Sequence, residues 1–181
     1  MNIRTLFFVL ISTIGWAEKA LPDRAHAISV DVAAIPFGEL SLIYQHKTMP
    51  FLNLVFPLDI QSLSVFLLPQ EVITVQRTTF GFGILPDLTV ASGIGVKLHY
   101  SGWYVEPLLG LGYARIDYPS RYGTRHLLMI KPALLLGYHT TFPFGMYLDV
   151  GIGLAGRIFI PTADANALIQ PNGRIAVGYA W

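Results

Sequence analysis

The feature of this sequence that most constrains its fold is a strict alternation of large apolar side chains with small or charged ones. It is clearest at the end of the chain, RIAVGYAW, where Ile175, Val177, Tyr179 and Trp181 occupy every second position. Four earlier segments share this period of two: 88–100, 103–116, 126–140 and 146–158. Successive side chains of a β-strand point to opposite faces, so each segment predicts a strand with one large apolar face.

The composition indicates that this large apolar face does not meet water. The chain is 53% apolar and 13% charged, whereas soluble domains average about 45–50% apolar and about 25% charged. The predicted strands run roughly 9–14 residues, longer than the mean globular strand of about 5–6 and long enough for a tilted membrane strand of about 9–11. A soluble sandwich or lipocalin-like barrel is the alternative, but its outward row would be rich in Lys, Glu and Thr.

In hydrocarbon every backbone N–H and C=O must be paired within the protein, so only helices and closed barrels cross it. After the N-terminus no segment predicts a transmembrane helix, because Pro, Gly or a charge interrupts every apolar window. The chain has no cysteine, which excludes disulfides and thiolate metal sites. The sequence therefore predicts an all-β fold, a closed antiparallel up-and-down transmembrane β-barrel.

The N-terminal segment MNIRTLFFVLISTIGWA (1–17) has the form of a secretory signal peptide. Arg4 supplies the positive charge, and the apolar run that follows is shorter than the about 20 residues of a spanning helix. Cleavage is expected after Ala17, with the A-x-A sequence ending at Ala27 as the alternative. An uncleaved anchor is the other interpretation. Residues 28–181 are predicted to form a single barrel domain.

Eight strands are predicted, in keeping with the even strand numbers of single-chain bacterial barrels. Residues 28–36 and 61–70 could extend neighbouring strands or form strands of their own, so ten strands remain an alternative. The eight predicted strands are 37–47, 51–60, 71–84, 88–100, 103–116, 126–140, 146–160 and 173–181.

Connection lengths predict the orientation. Ser101–Gly102 and residues 142–145 form short turns, whereas 117–125 and 161–172 are longer and more polar. Bacterial outer-membrane barrels have short turns on the periplasmic side and long loops outside. The expected location is therefore the bacterial outer membrane, with the C-terminus in the periplasm.

Aromatic residues flank the large apolar face, as in the girdles that membrane barrels carry at both interfaces. Outer-membrane barrels commonly end in an alternating strand with a final aromatic, and Tyr179 and Trp181 match that pattern. With the segment 88–116 (LTVASGIGVKLHYSGWYVEPLLGLGYARI), the chain resembles small outer-membrane barrels of the OmpA, OmpX and OmpW type. The resemblance implies the fold, the location and recognition by the barrel-assembly machinery, but no functional residues. The predicted girdle is Tyr100, Trp103, Tyr113, Tyr138, Tyr179 and Trp181.

The small face of the strands carries charges of both signs, which predicts an ion-paired, side-chain-filled lumen. A slip of one residue would move these charges into lipid, so they also fix the strand register. A structural role is expected, with a narrow passive pore for small solutes as the alternative. The predicted lumenal residues are Glu39, Lys97, His99, Glu106, Lys131, His139, Asp149, Arg157 and Arg174.

Catalysis is not expected. The alternative is a lipid A deacylase or acyltransferase that uses Ser120, His126 and Asp117 as nucleophile, base and orienting acid, if these residues converge. The five histidines lack metal-ligand spacing, and no cofactor is predicted.

The expected partners are outer-membrane lipids and lipopolysaccharide, whose phosphates Arg121 and Arg125 could bind through charge-assisted hydrogen bonds. A net charge of +1 gives no case for nucleic acid. The oligomeric state is left open.

Overall fold

The computed structural model describes residues 24–62, 87–100, 102–117, 123–160 and 168–181. Within these ranges the only helical element is a 3₁₀ turn at Ile35–Phe37, and no helix there is long and apolar enough to cross a membrane. The strands are β1 (His26–Asp31), β2 (Glu39–Met49), β3 (Leu52–Ser62), β4 (Leu88–Tyr100), β5 (Trp103–Asp117), β6 (Thr124–Thr141), β7 (Met146–Ile160) and β8 (Leu168–Ala180).

The eight strands form one closed antiparallel barrel in which each strand pairs with its neighbours in sequence. The first strand closes the ring: Ile28 of β1 pairs with Tyr44 of β2 and with Tyr179 of β8. Closure matters because it leaves no open sheet edge with unpaired N–H and C=O groups. The predicted all-β, up-and-down barrel and its strand number are confirmed.

The eight strands differ in part from the predicted set. Residues 26–31 form β1, and β3 pairs directly with β4, as between Leu58 and Ser92. The predicted strand 71–84 lies outside the described residues, so the described barrel closes with eight strands without it. At six residues, β1 is too short for its period of two to stand out.

The last strand begins earlier than expected, at Leu168 instead of 173. The polar residues around Pro171 predict a loop when the sequence is considered alone. In the barrel Pro171 lies opposite Leu154 and Gln170 opposite Ala155, because the long β7 offers pairing partners over this whole length.

The two faces of each strand separate as the alternation predicts. On β5 the side chains of Trp103, Leu109 and Leu111 are exposed, while those of Tyr104 and Glu106 between them are buried. The same division holds on the other strands, and the exposed row is mostly apolar, with Ile152 73% exposed and Ser92 and His126 among its few polar members. The barrel therefore presents its large apolar side chains outward and packs small, polar and charged ones inside.

Both described chain ends lie at the end of the barrel that carries the short turns, here called the turn end. Gly102 and Gly145 make those turns with φ of 83° and 101°, a left-handed conformation that glycine adopts without strain. Arg24 links β8 to the turn between β6 and β7 at this end. Its guanidinium donates hydrogen bonds to the carbonyl oxygens of Ala180 and of Pro143, the latter at 2.8 Å. The opposite end, which carries the longer connections, is called the loop end.

Candidate functional site in the barrel interior

The most deeply buried charges form one cluster, here called the central plug: Lys97, Tyr104, Glu106, Asp149 and Arg174. Lys97 Nζ contacts the Asp149 carboxylate and lies 3.4 Å from Glu106 Oε2. Arg174 Nη1 donates to both Glu106 oxygens, at 2.7 and 2.8 Å. The Tyr104 hydroxyl donates to Asp149 Oδ1 at 2.5 Å. Strands β4, β5, β7 and β8 thus each contribute to a single network across the lumen.

The central plug is electrically balanced, with two cations facing two carboxylates. Lys97, Glu106 and Asp149 are completely buried, and charges lose much of their solvation energy in such a place unless partners restore it. Lys97 also lies 4.3 Å from the centroid of the Tyr104 ring, a favourable cation–π geometry. Each charge therefore depends on the others, and removal of one leaves a buried charge uncompensated.

Glycines make room for Tyr104 beside the plug. Gly137 and Gly151 face each other on β6 and β7, and a Cβ atom at Gly151 would lie 2.5 Å from the Tyr104 hydroxyl oxygen. A Cβ at Gly137 would meet the same hydroxyl. The small inward row is therefore what allows a tyrosine to reach Asp149.

Gly151→Val is expected to destabilise the barrel by about 1–3 kcal/mol, because the added side chain pushes Tyr104 away from Asp149. Urea unfolding of the detergent-folded protein, followed by tryptophan fluorescence, measures the change. Gly173→Val is the matched control, since a Cβ there meets no atom within 4 Å. Equal unfolding midpoints for the two variants would contradict the proposed packing.

A second cluster of charges lies toward the loop end and is here called the loop-side cluster: Glu39, Asp59, Gln61, Lys131 and Arg157. Lys131 Nζ lies 2.8 Å from Glu39 Oε1 and 2.6 Å from Asp59 Oδ2. Arg157 donates to Gln61 Oε1 at 2.8 Å and has Glu39 Oε2 at 3.5 Å. This cluster too has two cations and two carboxylates, so its charge is balanced.

Two cavities flank the packed middle of the barrel, one of about 380 Å³ at the turn end and one of about 410 Å³ toward the loop end. Completely buried side chains occupy the middle of the barrel, among them Ile43, Val55 and Leu135 as well as Lys97, Glu106 and Asp149 of the central plug.

The structure brings the nine predicted lumenal residues to the inside, in three groups. Lys97, Glu106, Asp149 and Arg174 belong to the central plug, and Glu39, Lys131 and Arg157 to the loop-side cluster. His99 and His139 line the turn-end cavity, with ring centroids 5.4 Å apart.

Sequence reasoning missed Asp59 and Gln61, although both lie on the inward phase of β3, and it gave no role to Tyr104. The alternation in 51–60 was sufficient to place Asp59 inside the barrel, since the apolar residues around it take the outward positions.

The predicted girdle residues divide between the two ends of the barrel. At the turn end the Trp103 and Tyr138 rings meet edge to face at 5.4 Å, and Tyr179 and Trp181 are about half exposed nearby. Tyr113 lies at the other end, stacked on His126. The side chain of Tyr100 lies outside the described residues. A further ring, His26, stacks on Trp181 with centroids 5.9 Å apart, and was not predicted.

Of the three residues predicted for the catalytic alternative, only His126 has a side chain among the described residues. His126 points outward and its Nδ1 is hydrogen bonded to the Tyr113 hydroxyl. Ser120 and the side chain of Asp117 lie outside the described residues. Among the residues that the structure describes, no three His, Asp or Glu side chains are grouped so that they could hold a metal ion.

No protein-family model, no curated protein and no solved structure matches this chain in the three comparisons made. The layout expected from the resemblance is therefore supported by the fold alone.

Proposed function

We propose that this protein is an integral barrel of the bacterial outer membrane, with a closed, ion-paired lumen and a passive structural role. Its partners would be outer-membrane lipid and lipopolysaccharide around the barrel, and the assembly machinery that recognises the C-terminal strand during insertion. The alternative of a narrow pore for small solutes is less favoured, because completely buried side chains separate the two cavities.

The observation that carries the proposal is the height of the exposed apolar face. On β5 the outward row starts at Trp103 and reaches a second aromatic at Tyr113, with Val105, Leu109 and Leu111 exposed between them. At about 3.3–3.4 Å per residue this span is roughly 33 Å along the strand. A tilt of about 35–45° reduces it to roughly 25 Å along the barrel axis, the height of the apolar band in outer-membrane barrels.

The exposed apolar face also surrounds the barrel completely. Soluble monomers rarely expose continuous apolar patches larger than a few hundred Å². Here exposed leucine, isoleucine and valine side chains occur on the outer face of strand after strand, as Ile28, Leu58, Ile94, Leu134 and Ile175 exemplify. Acyl chains are the solvent that fits such a surface.

The start of β1 favours the first of the two signal-peptide cleavage sites. Ala27 pairs with Gln45 on β2 and with Ala180 on β8. Cleavage after Ala27 would remove two residues of the strand that closes the barrel, whereas cleavage after Ala17 would leave that strand whole. We therefore propose a mature protein that starts at Glu18, with the turn end in the periplasm.

Spin labelling tests the membrane location directly, and the chain has no cysteine of its own to interfere. Single cysteines replace Ile152, Val177 and, as the control in a turn, Phe144. In lipid vesicles the labels at Ile152 and Val177 should collide mainly with dissolved oxygen, and the label at Phe144 more with a water-soluble relaxing agent. Water-exposed labels at all three positions would overturn the proposal.

Planar-bilayer recording tests the closed lumen. Inserted protein should show no steady conductance, because the completely buried, paired charges of the central plug fill the middle of the lumen. Insertion is verified separately by a heat-dependent shift in gel mobility. A stable unitary conductance from correctly inserted protein would replace the structural role by the pore.

We also propose that the barrel has no enzymatic activity on lipid A. The imidazole of His126 is engaged by Tyr113 on the outer surface. Mass spectrometry of lipid A from cells that overproduce the protein should show no change in acylation. Loss or gain of an acyl chain that His126→Ala abolishes would establish the enzyme instead.

A further inference from the structure

The cavity toward the loop end, here called the loop-end cavity, has one carboxylate more than the cations around it can balance. Six charged residues line it, three of each sign: Asp31, Glu39, Asp59, Lys131, Arg157 and Arg174. Arg174 is already neutralised by Glu106 of the central plug, which it contacts at 2.7 Å. The two other cations and two of the carboxylates make up the balanced loop-side cluster. Asp31 is the carboxylate that remains.

Asp31 is buried, with a relative exposure of 6%. Its Oδ1 accepts hydrogen bonds from the backbone N–H groups of Ala33 and Ile175, at 3.0 and 3.1 Å. These bonds orient the carboxylate but bring no net charge, and Oδ2 receives no hydrogen bond from the described residues. Within the same part of the chain no lysine or arginine forms an ion pair with Asp31. Because buried charges in proteins are normally paired, a carboxylate in this position is suited to a cationic ligand.

Neighbouring charges do not cancel the charge of Asp31. The charged side chains that act on it are Arg174 and Glu39, which have opposite signs. Arg174 Nη1 is also held by both oxygens of Glu106. The excess negative charge therefore stays in the loop-end cavity, where it attracts cations.

The rest of the lining favours an organic cation over a metal ion. A metal ion such as Ca²⁺ needs six or more oxygen ligands, and among the described residues no three acidic or histidine side chains are grouped to hold one. The amide groups of Gln170 and Asn172 line the cavity and supply further oxygen acceptors. An ammonium group with a compact hydrocarbon part would use both the polar and the aliphatic lining. The aliphatic lining residues are Ala33, Ala34, Pro57, Leu108, Ala133 and Leu135.

We propose that the loop-end cavity binds a small organic ammonium ion, which donates a hydrogen bond to Asp31 Oδ2 and packs its hydrocarbon part against Leu108 and Leu135. A hydrogen bond between an ammonium group and a carboxylate is about twice as strong as one between neutral groups, so Asp31 distinguishes the cation from a neutral molecule of the same shape. The volume of about 410 Å³ lies within the about 300–1,000 Å³ of small-molecule sites. In the orientation proposed above the cavity lies at the extracellular end, but binding does not depend on that orientation.

Calorimetric titration of the barrel, folded in a maltoside detergent, tests the site. Cyclohexylammonium is the probe, cyclohexanol its neutral counterpart and potassium the inorganic cation. We expect saturable binding of cyclohexylammonium at least about tenfold tighter than that of cyclohexanol, and no displacement by equimolar potassium. Asp31→Asn keeps an oxygen for the two backbone N–H groups but removes the charge, and should weaken binding about tenfold. Asp87→Asn is the matched control, because Asp87 is not among the residues that line the cavity, and should leave the affinity unchanged.

Ala133→Leu provides a second variant that leaves every charge in place, and it serves if Asp31→Asn does not fold. Ala133 lines the cavity from β6, so a larger side chain there takes the space of the hydrocarbon part and should weaken binding. The absence of saturable binding, equal affinities for cyclohexylammonium and cyclohexanol, displacement by equimolar potassium, or an unchanged affinity in the folded Asp31 and Ala133 variants would each overturn the site. The spin-label result is independent of all these outcomes, so a failure here leaves the membrane proposal standing.

Discussion

Replacement of Lys97 by methionine is expected to destabilise the folded barrel by about 3–5 kcal/mol, the cost of breaking a buried ion pair by removing one partner. Lys97 is the residue that contacts both carboxylates of the central plug. Without it Arg174 still neutralises Glu106, and Asp149 keeps the hydrogen bond from the Tyr104 hydroxyl. Its carboxylate is then buried without a cation in contact.

Urea unfolding of vesicle-folded protein measures this loss, and a charge-balanced variant provides the control. Lys97→Met combined with Asp149→Asn removes one charge of each sign and leaves the Glu106–Arg174 pair intact. The double variant should recover more than half of the stability lost by the single one, because the two positions are strongly coupled. Simple addition of two separate losses would show that the plug does not act as a balanced unit.

Leu154→Arg is expected to cost about 2–4 kcal/mol of folding free energy in lipid vesicles, as a cation does at the lipid-facing midplane of a barrel. Leu154 is 57% exposed near the middle of β7 and faces outward. The reason for the cost is that the guanidinium has to be desolvated or to reach a distant interface. On a soluble barrel the same change would place an arginine in water and cost almost nothing.

Met146 on the same strand is the matched control for depth. It lies at the turn end of β7, is 43% exposed and points to the same face as Leu154. Met146→Arg should cost only about 0–1 kcal/mol, as expected near an interface. The two variants are compared by equilibrium unfolding in vesicles of one composition. Equal costs would mean that the two positions share the same environment, contrary to the membrane assignment.

The interior shows how far prediction from the alternation extends. The period of two placed Lys131 and Arg157 inside, because large apolar residues such as Ile130, Leu154 and Ile158 occupy the alternate positions of their strands. The alternation could not predict the ion pair between Asp59 and Lys131. These residues are 72 positions apart and meet only when β3 and β6 face each other across the lumen. The stagger of the whole barrel decides which side chains meet, and no single strand carries that information.

The sequence alone determined that the chain forms long strands with one large apolar face, because side-chain direction in a strand depends only on position along it. It thereby predicted the closed barrel, the inward charges and the short turns at Gly102 and Gly145. Only the tertiary structure decided that 26–31 closes the ring and how the charges divide into two balanced clusters. These features depend on pairing and distance across the lumen, which arise only when all eight strands have taken their register.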